Sequence, residues 1–147
     1  MTDFTVLIVD DEEDFLHTLA KRLEKRKLKV LKAESGEAAL EVIRRESVDV
    51  VALDVRMQGM DGIDVLRAIK ALDPEIEVVM LTGHASVEVA VEGMEEGAFD
   101  YLMKPVSIDE LLFKLQDAYK ARTIRLRRQE WGSPPSENGM PTPSGRS

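Results

Sequence analysis

Five short apolar runs alternate with amphipathic segments along this chain, and that alternation limits the fold more than any other feature. The runs are Thr5–Val9, Leu28–Ala33, Asp49–Leu53, Glu75–Leu81 and Phe99–Met103. After the first, Glu12–Arg26 places Phe15, Leu16, Leu19, Ala20 and Leu23 at helical spacing. Ser35 caps a second helical segment carrying Ala39, Leu40 and Ile43. Gly62–Leu72 is a third, ended by Asp73-Pro74, and Ser86–Gly97 a fourth, with Val87, Ala90, Val91 and Met94 expected inward. Ser107-Ile-Asp-Glu110 has the form of a capping box opening a last helix striped by Leu111, Leu112, Leu115 and Tyr119. Strands joined through helices by short connections build a doubly wound α/β fold: a five-stranded parallel sheet with helices on both faces. The alternating, weaker second run belongs at a sheet edge.

At 147 residues the chain has room for one domain with a full core, here residues 1–121. A basic stretch, 122–131, reads as a helical extension. In 132–147, twelve of sixteen residues are Gly, Pro, Ser or Thr, and disorder is expected. The absence of cysteine excludes a disulfide scaffold and a Cys-ligated metal. Neither a signal peptide nor a membrane-spanning run is visible, so a cytoplasmic protein is expected. The net charge of −8 divides unevenly, −12 over 1–119 and +4 over 120–147. An acidic body argues against nucleic-acid binding by the main domain.

In open parallel sheets, sites form beyond the carboxyl ends of the strands, where the winding reverses. Asp10, Asp11 and Glu12 follow the first strand here, Asp54 the third, Thr82-Gly83 the fourth and Lys104-Pro105 the fifth. One strand-end Asp alone is most simply the start of a turn. Four strands delivering polar groups to one sheet edge ask for a chemical reason. Clustered carboxylates repel one another, and a hard divalent cation such as Mg²⁺ relieves that. With an ammonium from Lys104 and a hydroxyl from Thr82, the set suits the oxygens of a phosphoryl group in transfer. Asp54, central among the strand ends, is the best placed nucleophile.

Val9-Asp-Asp11, Leu53-Asp-Val-Arg-Met57, Met60-Asp-Gly62, Leu81-Thr-Gly83 and Phe99-Asp-Tyr-Leu-Met-Lys-Pro105 together resemble the receiver domains of two-component response regulators, from about Phe4 to Tyr119. The resemblance implies a flavodoxin-like sheet of order 2-1-3-4-5. It implies that Asp54 accepts a phosphoryl group from a sensor histidine kinase or histidine phosphotransfer protein. It further implies Mg²⁺ held by Asp11, Asp54 and the Arg56 carbonyl, with Asp10 assisting through water. Lys104 would pair with the phosphate, Thr82 would move to bond it, and Tyr101 would reorient. A cis Lys104–Pro105 peptide is expected on the same ground. The surface of residues 84–120 would then act on an output protein or mediate a phosphorylation-dependent homodimer. Glu88, Glu92, Glu95 and Glu96, facing Lys114 and Lys120, are the candidates there, and Gly93 would leave the fourth helix loosely held.

Gln58 stands where many receivers carry proline, which loosens that loop. Arg56 and His84 occupy positions that influence attacking water in the family. His17 reads as an ordinary helix residue rather than a phosphohistidine. A hydrolase of the haloacid-dehalogenase type would need a carboxylate where Arg56 stands. A flavin or nucleotide module would need glycines where the chain has Asp10-Asp-Glu-Glu13. With no output domain after the Gly/Pro/Ser-rich tail, a stand-alone receiver is expected in preference to a fragment of a longer regulator.

Overall fold

The computed structural model describes residues 4–57, 61–83 and 87–132. Its elements are β1 (Thr5–Val9), α1 (Glu13–Glu24), β2 (Lys29–Ala33), α2 (Gly36–Arg45), β3 (Val50–Asp54), α3 (Gly62–Leu72), β4 (Glu77–Thr82), α4 (Val87–Glu95), β5 (Asp100–Met103) and α5 (Ile108–Gly132). The sheet is parallel throughout, in the order β2-β1-β3-β4-β5, so the winding reverses between β1 and β3.

Strand period two splits the core into layers. Val6, Ile8, Val50, Ala52, Val79 and Leu81 face Leu16, Leu23, Leu111 and Leu115 of α1 and α5. Their neighbours Leu7, Val9, Val51, Leu53, Val78 and Met80 face α2, α3 and α4 through Ala39, Leu66, Ile69 and Ala90. β3 and β4 are buried along their whole length, whereas the edge strands β2 and β5 keep exposed positions. Expected caps are in place: Ser35 Oγ accepts the Ala38 amide at 3.0 Å, and Ser107 Oγ the Glu110 amide at 3.4 Å.

The fourth helix departs from the sequence reading. Of the α4 residues expected inward only Ala90 is buried; Val87, Val91 and Met94 are 48%, 56% and 39% exposed. The reason is Gly93, which is buried against Met80: a Cβ there would sit 2.2 Å from Met80 Sδ and 2.4 Å from its Cε. Small Ala90 and Gly93 let the helix approach the sheet closely, and the valines turn outward. Gly93 is therefore a packing glycine rather than a sign of a loosely held helix. Nor do the α4 glutamates face α5. Glu92 and Glu96 pair with Arg67 of α3, at 3.7 and 3.0 Å, while Lys114 pairs with Asp100 at 2.7 Å.

The basic stretch, expected as a helical extension, continues α5 without a break. Its inner face changes from Leu111, Leu115 and Ala118 to Arg122 and Arg125 where the helix passes the carboxylates at the strand starts. Arg125 binds Glu75 at 2.7 Å and buried Glu77 at 2.5 Å, Gln129 reaches Glu75 at 2.9 Å, and Arg122 lies 3.8 Å from Asp49. Hydrogen bonds from Arg125 and Gln129 hold the Glu75 carboxyl below its ordinary range. Residues 133–147, most of the stretch expected to be disordered, lie outside the described residues.

Candidate functional site

The carboxyl ends of β1 and β3, with the turn after β5, bring Asp10, Asp11, Asp54 and Lys104 together, and Thr82 is the last residue of β4. Asp54 is the last residue of β3, in register with Leu81, rather than the first beyond it. Gly62 keeps the following loop close: a Cβ there would lie 2.5 Å from the Val55 Cα, so only glycine lets α3 begin against the end of β3. Asp10 and Asp54 are buried and Asp11 is exposed. One oxygen from each of the three lies within 4.8 Å of the others.

Lys104 Nζ stands 3.3 Å from Asp10 Oδ2 and 3.6 Å from Asp54 Oδ1, and 4.6 Å above the Phe15 ring. The carboxylates are further tethered by backbone. Asp10 Oδ1 accepts the Glu12 amide at 2.9 Å, and Asp54 Oδ1 the Arg56 amide at 3.1 Å. These do not offset the cost of burial. Desolvation, reinforced by the Asp10 and Asp11 charges, raises the Asp54 carboxyl to about 6, against the lowering effects of the Arg56 amide and Lys104.

Such a carboxyl lacks positive charge. Octahedral coordination at about 2.1 Å puts ligand oxygens roughly 3 to 4 Å apart. Three oxygens within 4.8 Å of one another can meet that with small adjustments, so the donor set fits a divalent cation. Thr82 is buried, and its hydroxyl makes a 3.8 Å contact to Met103 Sδ, a weak acceptor readily exchanged for a stronger one. Tyr101 lies on β5 with its side chain outward, in register with Met80. The Lys104–Pro105 peptide is cis.

The site residue missed in the sequence is Phe15. Its helical spacing marks it as core, and its place under Lys104 comes from the packing of α1 beside the β5–α5 turn. His17 is an exposed residue of α1, 3.8 Å from Glu13 and 3.1 Å from Lys32 Nζ. Arg56 is exposed. Gln58 and His84 lie outside the described residues, so the expectations about them do too.

The family model described as response regulator receiver domain matches residues 6–116. The transcriptional regulatory protein ZraR of Escherichia coli K12 is 44% identical over 113 residues, covering 77% of this chain and 26% of that protein. A receiver domain protein from Clostridium thermocellum superposes with a TM-score of 0.80 at 35% identity, covering 83% of this chain and 98% of that one. NtrX from Brucella abortus, solved with ATP, gives a TM-score of 0.82 at 31% identity over 86% of this chain and 29% of its own. This chain thus spans about a quarter of the curated relatives it matches, at 26% of their length, and these relatives lend no support to the expected stand-alone receiver. No helix among the described residues is long and apolar enough to cross a membrane. Fold, strand-end constellation and family match agree: this chain belongs to the response regulator receiver domains of two-component signalling.

Proposed function

We propose that the domain is a switch thrown by phosphorylation of Asp54. The observation that carries this is the meeting of Asp10, Asp11 and Asp54 oxygens within 4.8 Å, with Lys104 Nζ 3.6 Å from Asp54. The donor is a phosphohistidine of a sensor histidine kinase or histidine phosphotransfer protein. An Asp54 oxygen attacks phosphorus, the phosphorus–nitrogen bond breaks, and the imidazole leaves with its electron pair and takes up a proton. Asp11, Asp54 and the Arg56 carbonyl would hold Mg²⁺, with Asp10 assisting through water. The ion supplies charge neutralisation to the phosphoryl oxygens. Lys104, kept in place by Asp10 and the Phe15 ring, adds a fixed positive charge beside Asp54. Thr82 exchanges its thioether contact for a phosphoryl oxygen, and Tyr101 turns as the 84–120 surface changes.

The output, on the relatives' names, is control of transcription by a longer cytoplasmic regulator in which this domain is the input. Domain bounds of 1–121 for the receiver, 122–131 for the extension and 132–147 for the tail go with this reading. Incubation with acetyl phosphate, followed by intact mass, tests it. One phosphoryl group should be added with Mg²⁺ and none with chelator or in Asp54→Asn. Undiminished labelling in that variant would overturn it.

A further inference from the structure

The ammonium of Lys104 is a cluster of donors that the two carboxylates do not hold by themselves. Nζ stands 3.3 Å from Asp10 Oδ2 and 3.6 Å from Asp54 Oδ1. Both distances exceed the roughly 2.7–2.9 Å of a tight charge-assisted hydrogen bond. Each carboxylate is itself tethered by a backbone amide, Asp10 by Glu12 and Asp54 by Arg56. The remaining group at the ammonium is the Phe15 ring, with Nζ 4.6 Å above its centroid. That lies inside the roughly 6 Å over which a ring face attracts a cation. Phe15 stands in the first turn of α1, half-buried against the core, and the amide bonded to Asp10 belongs to the residue just before that helix. One carboxylate thus pairs with Lys104 and also anchors the helix that carries the ring.

We propose that Phe15 is a positioning residue for phosphoryl transfer: its π face is the third ligand of the Lys104 ammonium. This rests on the switch function proposed above and names an electrostatic determinant of its rate. A core role alone would ask only for apolar bulk, which leucine supplies to the lysine methylenes as well as phenylalanine does. The geometry asks for more, because it is the charged end of the lysine that sits over the ring. Phe15 and Lys104 also line a common groove of about 390 Å³ between α1 and the β5–α5 turn. With a non-aromatic side chain at position 15, water from that groove takes the place of the ring. A hydrated ammonium is screened and less fixed in position, so it stabilises the charge of the transferring group less well.

Fluorination separates the π face from bulk, since each ring fluorine withdraws electron density while the shape is nearly kept. Phenylalanine at position 15 alone is replaced by its mono-, di- and trifluoro forms, and labelling by acetyl phosphate with Mg²⁺ is timed by intact mass. The rate should fall stepwise with fluorine number, by about five-fold at the trifluoro ring. Phe15→Leu should lose at least as much, and Phe15→Tyr should recover most of that loss. A second measurement needs neither metal nor phosphodonor. In urea and chelator, the same fluorine series should lower stability stepwise in the native chain and stay flat in the Lys104→Met background. Equal labelling rates across the series, or the same stability trend with and without the Lys104 ammonium, would overturn the proposal. A native chain that takes no label would overturn the switch function instead, and the unfolding series would still decide the role of Phe15.

Discussion

Replacing Asp54 by Asn should stabilise the metal-free protein, because it removes a buried charge that burial and two neighbouring carboxylates disfavour. The Asp54 carboxyl rises from 3.8 to about 6 on folding. At 1.36 kcal/mol per pH unit, that difference of about two units is a penalty of about 3 kcal/mol on the ionised folded state. The sign follows from proton binding. Between pH 3.8 and 6 the folded state holds the extra proton, so stability falls as pH rises through that window. Below it the penalty is absent. The figure already contains the attraction of Lys104, and it is a ceiling because relaxation and water penetration soften the cost of burial. For a domain of this size the ceiling corresponds to a melting shift of about 10 °C. Calorimetry in chelator at pH 8 should therefore place Asp54→Asn above the native protein, with the gap closing by pH 4. Millimolar Mg²⁺ should raise the native protein alone, since ligand binding to the folded state adds stability. A native protein more stable than the variant in chelator at pH 8, or a gap independent of pH, would refute the electrostatic reasoning.

Three other outcomes can be checked directly. Lys104→Ala should lose both phosphorylation and response, whereas Thr82→Ala should still label and respond poorly; equal loss of labelling, read by intact mass, would contradict that division. Gly93→Ala should destabilise by about 1–3 kcal/mol despite the better helix propensity of alanine, because its Cβ collides with Met80; denaturant unfolding should show coupling with Met80→Ala in a double-mutant cycle. Arg125→Ala leaves buried Glu77 with only the 4.0 Å Lys70 ion pair among the described residues, which should cost about 1–2 kcal/mol and make stability less sensitive to salt.

What the sequence determined by itself was whatever repeats at short range. Apolar runs of five to seven residues separated by helical spacing specify strands, helices and a doubly wound sheet, because period and length are local properties. The chemistry at the sheet edge was legible for the same reason: Asp10, Asp54, Thr82 and Lys104 each stand at the end of an apolar run, and parallel strands send all such ends one way. Tertiary packing alone decided which face of a helix turns inward when apolar residues outnumber inward places. In α4 a single glycine against Met80 outweighed two valines and a methionine, since close approach requires a small residue at the contact. Packing also decided what the charges of the basic stretch meet. Arg122 and Arg125 read only as members of a basic helical extension until the chain brings Asp49, Glu75 and Glu77, roughly 50 to 70 positions earlier, beneath them. Phe15 likewise became a platform for Lys104 only when α1 and the β5–α5 turn packed together. A residue's type sets what it can do, but its partner is chosen by a fold that joins distant parts of the chain.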